Sequence, residues 1–159
     1  MPNLPSLVPI VSNGIAMKAL GGALKKLKKL KIGSGLGLGK RCKKFKAPSG
    51  KKFAVAQRSD IDWNKKRRIT IDGKKKYVTN KVAAEKYGRA PIVTINGKNH
   101  RVTLHHHNQE PKGPLVEMLQ SDHSKHHGAL HPKTKSKIDR EEFDKDRTAY
   151  WKERGKQAP

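Results

Sequence analysis

The chain has 159 residues, of which 33 % are hydrophobic and 5 % aromatic, enough for one domain with a small core. Its 37 Lys and Arg against 13 Asp and Glu leave a formal charge of +24, which repels itself in a compact monomer and calls for a polyanion or an acidic protein as partner, with nucleic acid the first candidate. Cys42 is the single cysteine, which excludes an intramolecular disulfide and a thiolate zinc site, and lysines interrupt every apolar run after Met17, so stable membrane insertion is not expected.

The apolar start "LPSLVPIVSNGIAM" has no basic region ahead of it and carries prolines, which argues against a cleavable signal peptide. Asp60 is the first acidic residue. A one-signed segment with few large apolar side chains cannot offset its ordering entropy, so residues 1–57 are expected to form a basic, largely flexible arm, and 58–159 the domain. Within the arm, Ala16, Leu20, Ala23, Leu24, Leu27 and Leu30 recur every three or four positions, predicting an amphipathic helix over 16–32. It is either a cationic segment for anionic lipid or DNA, or a linker helix that docks on something outside this chain.

Further along, Asp72-Gly73 separates two strand-favouring runs and predicts a hairpin. "TNKVAAEKYG" predicts a short helix with Thr79 or Asn80 as N-cap and Gly88 as its stop. Asn96-Gly97 is the strongest turn signal, with strands expected over 92–95 and 98–106. Alternation on the second strand puts Val102, Leu104 and His106 on one face and Thr103, His105 and His107 on the other. After a Pro/Gly loop, "LVEML" is short and apolar, and Ser121 can cap a helix from about Asp122 that carries His123 and His127 one turn apart. Gly128 threatens that helix and leaves His131 open. Asp139 and Glu142 stand in capping-box spacing before a terminal helix packed by Phe143, Tyr150 and Trp151.

Strand, loop, strand and helix with histidines on the last strand and the helix is the layout of a ββα-metal fold. "GRAPIVTINGKNHRVTLHH" followed by "GPLVEMLQSDHSKHHGALH" closely resembles the LHH subgroup of the HNH/endonuclease VII nucleases, modules of bacterial polymorphic toxins, over about residues 61–135 with a motif core at 90–132. The resemblance rests on the Ala90-Pro91 turn, the hairpin, Leu104-His105-His106, "GPLVE", His123 and His131. It implies an α+β chain: a small HNH-like domain between a flexible basic arm and a C-terminal helix.

It also implies roles. His105 binds a metal ion and His106 activates the attacking water as general base. His123 and His131 complete the ligand set, with His127 as the alternative ligand. One divalent ion is expected, Zn, Ni, Mn or Mg, with thiol-free and carboxylate-poor ligation disfavouring a site for Mg alone. Asn108 or Gln109 can hold the His106 ring or the loop, and Glu117 can orient a ligand N–H or simply be solvated. His107, His126 and His100 are expected to be polar surface residues. Arg67, Arg68, Arg89, Lys98 and Arg101, with the lysines at 65, 66 and 74–76, are candidates for phosphate contact.

The function implied is a metal-dependent, weakly sequence-specific DNA endonuclease, a secreted effector acting in the cytoplasm of a target bacterial cell and held in check by an acidic immunity protein. RNA as substrate, a non-catalytic basic nucleic-acid-binding protein and a membrane-permeabilising segment are the alternatives.

Overall fold

The computed structural model describes residues 20–32, 42–131 and 137–159. The first described element is a helix, α1, over 20–29. It is followed by β1 (Cys42–Lys46), β2 (Lys52–Ala56), β3 (Lys66–Ile71), β4 (Lys74–Thr79), α2 (Asn80–Tyr87), β5 (Ile92–Ile95) and β6 (Lys98–His106). A 3-10 turn (His107–Gln109), β7 (Leu115–Leu119), α3 (Gln120–Lys125), α4 (His127–Leu130) and α5 (Arg140–Gln157) complete it. Among these residues five strands form a mixed sheet in the order β1-β2-β7-β6-β5, and β3-β4 form a separate hairpin. The chain is a small α+β unit with a C-terminal helix, as its sequence suggested.

Both hairpin turns are set by residues that tolerate left-handed backbone: Asp72 (φ 50) and Gly73 (φ 76), then Asn96 (φ 51) and Gly97 (φ 76). Thr79 Oγ1 accepts from Val82 N at 3.1 Å and caps α2, while Gly88 ends it with φ 64. Asn80 does other work. Fully buried, it donates to Asp62 O and Ile92 O and accepts from Ile92 N, fastening the 62–65 loop and β5 to the start of α2.

Side-chain alternation gives the sheet two apolar faces. On one, Phe53, Val55, Val102, Leu104, Leu115 and Leu119 pack with Phe143, Tyr150 and Trp151 of α5. On the other, Ala54, Ala56, Val116 and Met118 pack with Leu20 and Leu27 of α1, Ile32 and Leu130. The boundary expected at residue 57 therefore runs through the sheet. Strand β2 pairs parallel with β7 (Val55↔Leu115, Ala56↔Val116), so the described residues 20–32 and 42–57 are folded parts of this unit rather than a flexible arm. The reason is that α1 finds its apolar partner within the chain: full burial of Leu20 and Leu27 contributes about 1.5–3 kcal/mol each. Residues 16–19 of the expected helix lie outside the described residues.

Glu117 is a correction of another kind. Its carboxylate is fully buried and accepts from Arg58 N (2.7 Å), the Tyr150 hydroxyl (2.5 Å) and Arg154 Nε (2.8 Å) and Nη2 (3.1 Å). It ties β7 to α5 on the α5 face of the sheet, and none of these bonds reaches a histidine. Arg154 is held above its ordinary range mainly by this carboxylate despite burial, and Tyr150 is pushed well above its own by burial and the same charge.

Candidate metal centre

His105 and His106 end β6 and, by the two-residue period of a strand, leave its opposite faces. His105 enters the face that α3 and α4 cover. Its ring centroid lies 5.2 Å from that of His123 and 5.2 Å from that of His131, and those two are 4.7 Å apart. One ligand nitrogen from each of the three falls within 4.8 Å of the others. His123 Nε2 and His131 Nε2 are only 2.6 Å apart, and His105 Nε2 is buried with no hydrogen-bond partner among the described residues. Two imidazole lone pairs at that distance repel unless a proton or a cation lies between them. A tetrahedral ion with bonds of about 2 Å sets its nitrogens about 3.4 Å apart, within small ring rotations of this arrangement.

The electrostatics favour neutral rings, the metal-binding form. Burial, then His123, His131 and the flanking histidines, push His105 down to about 3. His123 is lowered by burial, then by His131, His127 and Arg140; His131 by burial, then His127 and Arg140. Three converging, neutral, thiol-free donors fit a divalent first-row ion.

The helix after β7 is not the one expected. It starts at Gln120 behind Leu119, with no side-chain cap, and Ser121 Oγ instead pairs with His100 Nδ1 at 3.0 Å. His126 (φ −110, ψ 25) breaks it, and Gly128 lies inside α4 rather than ending a helix. The break lets positions eight apart, His123 and His131, converge on His105, with Leu130 anchored in the second core. His127 stands outside the three, exposed and stacked on His131 at 4.5 Å and 15°.

His106 is not brought into this cluster. Its ring packs 4.1 Å from Phe143 and 5.9 Å from Phe53 on the α5 face, 6 % exposed. Burial first, then Arg140 and Lys51, push it down to about 4, against the opposing pull of Asp146. Arg140 also lowers His123 and His131, so it bears on both groups. Asn108 and Gln109 turn the chain with φ 54 and φ 57, and the Asn108 side chain accepts from Lys26 Nζ at 3.3 Å, tying the loop to α1 instead of to the His106 ring. His107 is half-buried in the 3-10 turn and lowered by burial and Lys26.

Of the basic residues singled out, Arg67, Arg89 and Arg101 line one cleft of about 430 Å³, whereas exposed Arg68 and Lys98 do not. Arg147 of α5 joins them there. Sequence reasoning missed it, although Arg147 and Trp151 stand four apart and so share a helix face. Arg140 and the buried Arg154 were missed as well.

Residues 79–157, from the start of α2 to the end of α5 and about half of the chain, match the family LHH, described as a nuclease of the HNH/ENDO VII superfamily with conserved LHH. Comparison with curated proteins and with solved structures gave no match. Leu104-His105-His106 stands inside the matched stretch, at the end of the strand that brings His105 to the other two rings. The chain belongs, through this C-terminal part, to the LHH family of nucleases in the HNH/endonuclease VII superfamily.

Proposed function

We propose that this nuclease is a metal-dependent DNA endonuclease with little sequence preference. The observation that carries the reading is the convergence of His105, His123 and His131 with one nitrogen each inside 4.8 Å, His105 Nε2 being buried and unpartnered. These three residues would hold one Zn, Ni, Mn or Mg ion. When bound, such an ion supplies Lewis-acid stabilisation of the charge that builds on the phosphate and the leaving oxygen. The chain's own contribution is to fix the three rings on a strand and a kinked helix pair, both anchored in the core, and to leave solvent access beside exposed His127.

Proton acceptance from the attacking water is assigned to an imidazole outside the ligand set. The family resemblance nominates His106, while exposure and stacking on His131 favour His127. Single alanine variants separate them. The base is the one whose loss lowers nicking about 100- to 10,000-fold with ion binding intact.

The formal charge of +24 supports phosphate-backbone binding without base readout. The family resemblance suggests the wider role, a toxin secreted by a bacterium and acting in the cytoplasm of a target cell, and the charge agrees with an acidic immunity protein protecting the producer. The test is incubation of purified protein with supercoiled plasmid and, in parallel, structured RNA, with and without chelator. Nicking of DNA that needs a divalent ion and disappears in His105→Ala is the expected result. Cleavage of RNA alone would move the substrate assignment, and no cleavage in any ion would refute the enzyme reading.

A further inference from the structure

Strand β5 pairs with β6 only from Lys98 to Arg101, and the cleft of about 430 Å³ opens where that pairing stops. Four guanidinium groups from four different elements face it: Arg67 from β3, Arg89 from the turn after α2, Arg101 from β6 and Arg147 from α5. Among the described residues no carboxylate lines it. Their hydrogen-bond partners among the described residues satisfy only part of their donor capacity. Arg67 and Arg89 donate to the backbone carbonyls of Ala90 and Thr70, and Arg147 makes an exposed pair with Asp144. Arg67 is held below its usual range by burial and then by Arg101 and Arg89, so the positive charges act on one another.

The second observation is independent of charge. Trp151 forms part of the cleft wall, is 1 % exposed, and its indole Nε1, which can only donate, has no hydrogen-bond partner among the described residues. An unmet buried donor beside four planar, forked cations is a setting for an anion with several acceptor oxygens arranged around a centre. An apolar ligand would leave the indole donor and the remaining guanidinium N–H groups unmet. Gln120, also in the wall, opens the helix that carries His123, and Arg101 precedes His105 by four residues on the same strand face. That separation is about 13 Å along a strand.

We infer that this cleft is a second phosphate site, holding a backbone phosphodiester of the nucleic acid about 13 Å from the one at the histidines. The inference rests on the nuclease reading and adds a positioning function. A strand gripped at two points is set in register on the metal centre, whatever its sequence.

The test uses the full chain in chelator, so that a short labelled duplex is bound and not cut. Arg101→Gln with Arg147→Gln alters two exposed side chains, and an unchanged thermal midpoint certifies the fold. The double variant is expected to bind at least about tenfold more weakly at low salt, with the slope of log K against log salt reduced by about two. Equal affinity and slope would overturn the inference. Tryptophan 15N–1H spectra give a second readout: duplex should move the Trp151 indole signal, identified by Trp151→Phe, and not that of Trp63. A shift with inorganic phosphate but none with duplex would make this a free-phosphate site and overturn the backbone assignment. Absence of plasmid nicking by the wild-type chain in every divalent ion would fail the nuclease reading alone and leave these binding results interpretable.

Discussion

Replacing Glu117 by Gln separates two roles that the same carboxylate can play. In the structure it is fully buried, pairs with Arg154 at 2.8 Å and 3.1 Å, and also accepts from Tyr150 and Arg58. The amide keeps one acceptor oxygen for Arg58 N. With that oxygen toward Arg58 N, the NH2 group faces Arg154 Nε, so a donor meets a donor and a buried cation loses its counter-charge. Removing one partner of a buried pair costs about 3–5 kcal/mol. At this chain length each kcal/mol moves the melting midpoint by about 2–4 °C, so calorimetry should record a fall of about 6–20 °C. Divalent-ion affinity, measured by titration at a temperature where the variant is folded, should stay within about threefold. A midpoint lowered by less than about 3 °C together with affinity weakened about 10- to 100-fold would refute the reasoning and make Glu117 a partner of the ligating imidazoles.

Three further outcomes follow from packing. Leu27→Ala removes a 1 %-exposed side chain of α1 from the second core and should cost about 2–5 kcal/mol in urea unfolding; a free arm would show no change. Gly155→Ala places a Cβ 2.5 Å from Glu85 N, forcing α2 away from α5 at a cost of about 1–3 kcal/mol by the same assay. Gly21→Ala meets none of the described residues within 4 Å in α1 and should stabilise by about 0.5–1 kcal/mol, a sign opposite to that of Gly155→Ala.

Local signals were readable where one residue dictates the backbone. Asn96-Gly97 and Asp72-Gly73 demand positive φ, Thr79 and Gly88 bracket α2, and Asp139 accepts from Glu142 N at 3.2 Å to start α5. The period of β6 correctly divided His105 from His106 and, for the same reason, carried His106 away from the cluster. What was not readable depended on distant partners. Strand β2 is lysine-flanked and rich in alanine, and only its parallel pairing with β7 shows it to be central. The break at His126 has no proline or glycine to announce it. Buried Asp146 and Arg154 read as exposed helix residues until Ser49 and Glu117 are seen to meet them, although both fall on the spacing of Phe143, Tyr150 and Trp151.

Calorimetric titration of a divalent ion into the chelator-treated full chain asks whether the three imidazoles share one ion. One ion per wild-type chain is predicted, with specific binding lost when His105, His123 and His131 are together replaced by Ala and the fold is shown to be retained by circular dichroism. Unchanged stoichiometry and affinity in that triple variant, or no binding by the wild-type chain, would contradict the account.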